Sequence, residues 1–95
     1  MADDLIGIMK SHKQEIRSRF KVKSLGLFGS YARGDARQDS DLDVLVEFEQ
    51  APTLFSFVEL KDFLSDITGK NVDLVMKSAL RPSIGRRIIR EAVPV

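Results

Sequence analysis

Three aspartates carry the first chemical signal. Asp41 and Asp43 stand two apart at the head of the run Asp41-Leu42-Asp43-Val44-Leu45-Val46-Glu47-Phe48, which has strand patterning. Side chains alternate faces along a strand, so both carboxylates emerge on one side while Leu42, Val44 and Val46 take the other. Asn71 to Met76 repeats the arrangement: Val72, Leu74 and Met76 form the apolar set and Asp73 projects opposite them. If the two strands are neighbours in register, three carboxylates converge on one patch. Two like charges ~4 Å apart repel by roughly 4 kcal/mol at an effective dielectric of about 20. Either the acids take up a proton or something positive joins them. Oxygen donors with no His or Cys nearby favour a hard divalent ion, magnesium or manganese. Such ions would activate an attacking oxygen and stabilise a leaving pyrophosphate. By itself, however, an Asp-x-Asp reads as a solvated strand edge or turn.

Gly29-Ser30 changes that reading. Leu25 to Phe28 is a strand that stops at Gly29, and a short helical turn is expected from Ser30 or Tyr31 to Gly34. Glycine permits close backbone approach. Free N–H groups at a helix start, with the Ser30 hydroxyl, suit phosphate. A strand, a Gly-Ser corner, a polar loop over Gly34–Ser40 and an Asp-x-Asp strand join a phosphate cradle to a metal cradle.

The run Gly29-Ser30-Tyr31-Ala32-Arg33-Gly34, then Ser40-Asp41-Leu42-Asp43 with ten residues between Ser30 and Asp41, resembles the signature of the DNA polymerase β-like nucleotidyltransferase superfamily. The Ala-Arg-Gly segment, the short chain and the third acid in Asn71-Val72-Asp73-Leu74-Val75 make it look like the minimal nucleotidyltransferase (MNT) family. The resemblance implies a nucleotidyltransferase fold, with ATP as substrate and magnesium or manganese as cofactor. By matched position, Gly29 and Ser30 would hold the nucleotide phosphates, and Asp41, Asp43 and Asp73 would ligate metal. Asp73 could also act as base toward the acceptor hydroxyl. Arg33 is open between contacting phosphate and tying the loop to an acid. Tyr31 is read as a packing residue, and Asp35 and Asp39 as solvated loop acids. MNT proteins of this size are typically paired with a HEPN-domain ribonuclease toxin, which they neutralise by transferring AMP to a tyrosine. The resemblance therefore implies an antitoxin with a HEPN partner.

The elements that must position these groups follow from periodicity. Met1 to Phe20 reads as one helix, with Leu5, Met9, His12, Ile16 and Phe20 on its stripe and His12 a structural histidine. Lys21 to Phe28 and Asp41 to Phe48 read as strands. Thr53 is a possible N-cap for a helix over Leu54 to Ile67, whose inward residues are expected to be Leu54, Phe57, Val58, Leu60, Phe63, Leu64 and Ile67. Gly69 stops it. Asn71 to Met76 is a third strand. Pro82 opens a last helix carrying Ile84, Ile88 and Ile89, weakened by Gly85. Val93-Pro94-Val95 is either an edge extension or a frayed end. The alternation of helices and strands implies an α/β (α+β) domain, a small mixed sheet flanked by helices.

Composition sets the outer bounds. The 95 residues suit one domain, residues 1–95. Without cysteine there is neither a disulfide framework nor a Cys-based zinc site. No apolar run approaches the roughly 20 residues of a membrane span, and Met1 to Lys10 lacks a signal-peptide pattern, so a cytoplasmic protein is expected. The net charge of +1 names no partner, but its distribution is uneven. Six acids lie between Asp35 and Glu49 against Arg37 alone, and five bases lie between Lys77 and Arg90 with no acid. That suits a site holding cations and a polyanion, though both runs also read as solvated faces. Two other functions compete with catalysis on a partner protein: stoichiometric occlusion of that partner, and transfer to a small molecule or nucleic-acid end. The seven aromatics fall mostly at core spacing and offer no stacking platform for single strands. With no additional domain in the sequence to bind an acceptor, a partner protein is the economical way to complete the site.

Overall fold

The computed structural model of the chain describes residues 2–95; Met1, the expected start of the first helix, lies outside the described residues. The elements are α1 (Ala2–Ser11), α2 (Lys13–Phe20), β1 (Val22–Phe28), α3 (Ser30–Arg33), β2 (Leu42–Phe48), α4 (Leu54–Thr68), β3 (Val72–Met76), a 3-10 turn (Lys77–Ala79), α5 (Pro82–Glu91) and β4 (Val93–Pro94). The strands form one sheet in the order β3-β2-β1-β4. β1 runs antiparallel to β2 and to β4, whereas β2 and β3 are parallel. This is the mixed sheet the sequence implied. A parallel pair needs a long crossover, and α4 supplies it.

One face of the sheet is apolar. Leu27, Leu42, Val44, Val46, Val72 and Leu74 are buried there with Leu5, Met9, Ile16, Phe20, Leu60 and Leu64 from the helices. The β1 pattern does not alternate strictly, because Val22 and Leu25 are both buried though three apart. A register shift between Val22 and Ser24 resolves this, since one extra residue lets both reach the core face.

Two expectations are corrected. The first helix is two helices, broken at His12 (φ −105°, ψ 9°). Ser11 Oγ donates to Ile8 O (2.6 Å), and His12 Nδ1 lies 3.0 Å from the same oxygen. These side chains crowd one main-chain carbonyl at the break. The apolar stripe survives: Leu5, Met9, Ile16 and Phe20 are buried, and His12 packs edge-on to Phe63 at 5.8 Å. In α4, Leu54 and Val58 do not point inward; Leu54 is 78% exposed. At 100° per residue they fall about 120–160° around the helix from Leu60, beyond the arc that holds Phe57, Leu60, Phe63, Leu64 and Ile67. In α5, Ile84 and Ile89 are exposed.

The terminal signals read from sequence are in place. Thr53 Oγ1 accepts from Ser56 N (3.1 Å), and Gly69 closes α4 in the left-handed conformation with its N–H on Ser65 O (2.9 Å). Gly85, a weak helix former, is buried where a Cβ would sit 3.2 Å from the Leu80 Cβ, so packing of α5 explains it. Val93-Pro94-Val95 is an edge extension: Val93 and Pro94 pair with Leu27 and Gly26, and Val95 N–H donates to Leu25 O (3.0 Å). No described helix is long and apolar enough to cross a membrane.

Leu60 is fully buried between sheet and helices. Leu60→Ala is expected to lower unfolding free energy by about 2–5 kcal/mol, read as a lower urea midpoint with an unchanged slope.

Candidate active site

The parallel register of β2 and β3 places Asp43 opposite Asp73, and the antiparallel register of β1 and β2 places Phe28 opposite Asp43. Phe28, Asp43 and Asp73 are therefore level across three strands. Both aspartates stand on the face opposite the core, since their neighbours Leu42, Val44, Val72 and Leu74 are buried in it. Asp73 is exposed and Asp43 half-buried, so the pair sits on an open shelf of the sheet.

Gly29 follows Phe28 with φ 72° and ψ −148°, a conformation essentially reserved for glycine. The Oδ2 atom of Asp43 occupies the space where a Cβ on Gly29 would stand. The glycine thus turns β1 into α3 and makes room for the carboxylate. Arg33 N–H closes the turn on Gly29 O (3.0 Å) and Asp35 N–H bonds Ser30 O (3.0 Å). Tyr31 is buried, as its packing role requires.

Beyond α3 the loop is tied down by polar contacts. Arg37 N–H donates to Ser40 Oγ (2.8 Å), and Ser40 N–H donates back to Arg37 O (3.0 Å). Lys70 Nζ reaches Gln38 O (3.1 Å). Asp41 lies just before β2, and its Oδ1 accepts from Asn71 Nδ2 (3.1 Å). Asn71, Ser40 and Lys70 are positioning residues; the sequence motifs include Ser40 and Asn71 but give them no role, and Lys70 lies outside them. The only signal was that Ser40 and Asn71 each sit just before a motif aspartate or its strand. Arg33 Nε pairs with Asp35 Oδ2 at 3.4 Å, which ties it to a loop acid. Its charge also acts favourably on ionised Asp43.

Electrostatics single out Asp43. Its pKa is raised by burial first, then by the charges of Asp73 and Asp41 and by a hydrogen bond with the Asp73 side chain, with Arg33 opposing. Asp43 is thus in electrostatic contact with both other acids. The three are nevertheless not gathered into a ready cage: among the described residues no group of three His, Cys, Asp or Glu side chains is close enough to hold an ion. Asp43 and Asp73 come together, while Asp41 is engaged by Asn71. The donor set fits a hard divalent cation, because it is all oxygen and its like charges lack a full counter-charge.

A mixed sheet with crossing helices, a Gly-Ser corner and level carboxylates on the exposed face define a nucleotidyl-transferring domain. The family model described as a nucleotidyltransferase domain matches residues 9–95, and the chain belongs to that family. It is a nucleotidyltransferase. It is 47% identical to the protein adenylyltransferase MntA of Thermococcus cleftensis, over 98% of this chain and 94% of that one. A solved structure described as a minimal nucleotidyltransferase superposes with a TM-score of 0.79 at 36% identity, covering 96% of this chain and 95% of its own. The fold is also shared, at TM-score 0.67 and 21% identity, with a solved complex of the tri-AMPylated Shewanella oneidensis HEPN toxin and its MNT antitoxin. That match covers 99% of this chain and 71% of the other.

Gly29→Ala forces a side chain onto the Asp43 carboxylate and a costly backbone angle. It is expected to destabilise by about 1–3 kcal/mol and to cut nucleotidyl transfer by about a hundredfold, measured by thermal unfolding and labelled-nucleotide incorporation. The raised pKa of Asp43 sets a second expectation. The native state holds this proton more tightly than the unfolded chain, so stability falls as pH rises from the ordinary carboxylate range through the raised value. Without divalent cation, Asp43→Asn should therefore melt above wild type at about pH 7. The two curves should converge as acid protonates the wild-type carboxyl.

Proposed function

We propose that this chain is an ATP-dependent protein adenylyltransferase that acts as an antitoxin, transferring AMP to a tyrosine hydroxyl of a HEPN-domain ribonuclease toxin. The observation that carries the reading is the level placement of Asp43 and Asp73 beside a Gly29 that accommodates the Asp43 carboxylate. The relatives support it: MntA of Thermococcus cleftensis is named a protein adenylyltransferase. The fold is shared with a toxin–antitoxin complex solved with AMP-PNP, at TM-score 0.70 and 20% identity.

In this reading residues 1–95 act as one catalytic domain in the cytoplasm. Gly29 and Ser30 hold the β- and γ-phosphates of ATP through main-chain N–H groups and the Ser30 hydroxyl, and Arg33 adds positive charge once it swings from Asp35. Asp41, Asp43 and Asp73 hold magnesium or manganese, which when bound supplies charge neutralisation for carboxylates and phosphates. Asp73, the exposed member, takes the proton of the acceptor hydroxyl. The freed oxygen bonds to the α-phosphorus, the bond from that phosphorus to the bridging oxygen breaks, and pyrophosphate leaves with the electron pair. Asn71 steadies Asp41 at the edge of the site, and the Ser40–Arg37 turn fixes where that strand begins.

The test is incubation with ATP labelled at the α-phosphate, magnesium, and a HEPN-domain protein from the same organism. Label is expected on the HEPN protein, at tyrosine. Asp43→Asn and Asp73→Asn should each reduce labelling by about a hundredfold or more. Undiminished labelling in both variants would overturn the catalytic assignment. Protection of cells from the toxin by those variants would point instead to occlusion without chemistry.

A further inference from the structure

β3 is the terminal strand on its side of the sheet, so one of its edges faces no other strand. Leu42 N–H donates to Asn71 O (2.9 Å), which turns the Asn71 main chain toward β2. Val72 N–H points elsewhere, onto Ser65 Oγ at 3.3 Å. Main-chain groups alternate sides along a strand, so Asn71, Asp73 and Val75 bond β2, and Val72, Leu74 and Met76 turn outward. Ser65 takes the first of these outward N–H groups. Leu74 and Met76 are left facing the edge, beside the half-buried side chains of Val75 and Met76. Lys70 and Lys77 bracket the strand, a common guard against indiscriminate pairing, and leave a short window between them.

The reaction geometry gives that window an occupant. The Gly-Ser corner, Asp43 and Asp73 succeed one another across the sheet from β1 to β3, about 4.8 Å per strand. In phosphoryl transfer the entering and leaving oxygens lie roughly opposite each other at phosphorus. With pyrophosphate leaving toward the corner on the β1 side, the acceptor oxygen must enter from the β3 side, over Asp73. Leu74 is the next residue.

We infer that the free edge of β3, at Leu74 and Met76, docks the acceptor. An extended segment of the partner protein adds to the sheet there and carries its hydroxyl to Asp73. The inference rests on the protein-adenylyltransferase reading and names the surface that reading lacks. Main-chain pairing fixes distance and direction without demanding a particular sequence, and alternate side chains of the added strand face the carboxylate shelf.

Hydrogen exchange of the wild-type chain with and without the HEPN-domain protein, in the absence of ATP, tests it. Exchange at the Leu74 and Met76 amides is expected to slow at least tenfold in the complex, while Asp73 and Val75, already bonded to β2, change little. A complex that forms with Leu74 and Met76 unaltered overturns the docking line and leaves the adenylyltransferase reading standing. Failure to form any complex overturns both. A substitution supplies the second arm. Met76 has φ −78° and ψ 131°, a conformation proline adopts, so Met76→Pro removes one outward N–H with little backbone strain. It should lower kcat/KM for the partner about tenfold with ATP affinity unchanged, whereas Met76→Ala, which keeps the N–H, should retain transfer. Equal loss in both variants, or a loss of ATP affinity, would overturn the role of the edge.

Discussion

The structure is organised around a repulsion. Two carboxylates, Asp43 and Asp73, face each other on adjacent parallel strands. Burial first, then their closeness and the charge of Asp41, raises the pKa of Asp43. Left to itself such a pair would drift apart or neutralise. What prevents separation is that each aspartate is flanked on its strand by residues fully committed to the core: Leu42 and Val44 around Asp43, Val72 and Leu74 around Asp73. Sliding either strand by one residue would exchange acids for aliphatics on the buried face, and the hydrophobic penalty forbids it. The burial that makes the domain stable is thus also what holds its charges together.

The same logic explains the helices. α4 is the crossover that permits a parallel pair at all, and its buried residues Leu60 and Leu64 press on the strands that carry the acids. α1 and α2 complete the cover over that face. On the other face, α5 leaves the end with Asp43 and Asp73 open.

Much of this was legible in the chain itself. The two-residue spacing of Asp41 and Asp43, and the matching phase of Val72, Asp73 and Leu74, fixed which face each side chain takes. That the two strands are neighbours in register stood only as a condition in the sequence, since a two-residue shift keeps the same faces; the structure supplies it. Three things were not legible. The break at His12 arises from side-chain competition for the Ile8 carbonyl, which periodicity does not register. The outward position of Leu54 and Val58 came from extending a helical stripe past the arc the sheet can cover. The engagement of Asp41 by Asn71 depends on a contact across thirty residues of chain. Local patterns specify faces and phases; they do not specify which polar atoms meet.

β4 carries a consequence for how the chain comes into being. Gly26 and Leu27 on β1 lie beside β2 on one side and opposite Pro94 and Val93 on the other. On a ribosome, β1, β2 and β3 can assemble in order of synthesis, while that flank of β1 waits bare until the last of these residues emerges. Loop-closure entropy weighs more on this long-range pairing than on β1 with β2 or β2 with β3. The outer flank of β1, the strand that ends in the Gly-Ser corner, is consequently the part of the sheet most open to mispairing before β4 docks.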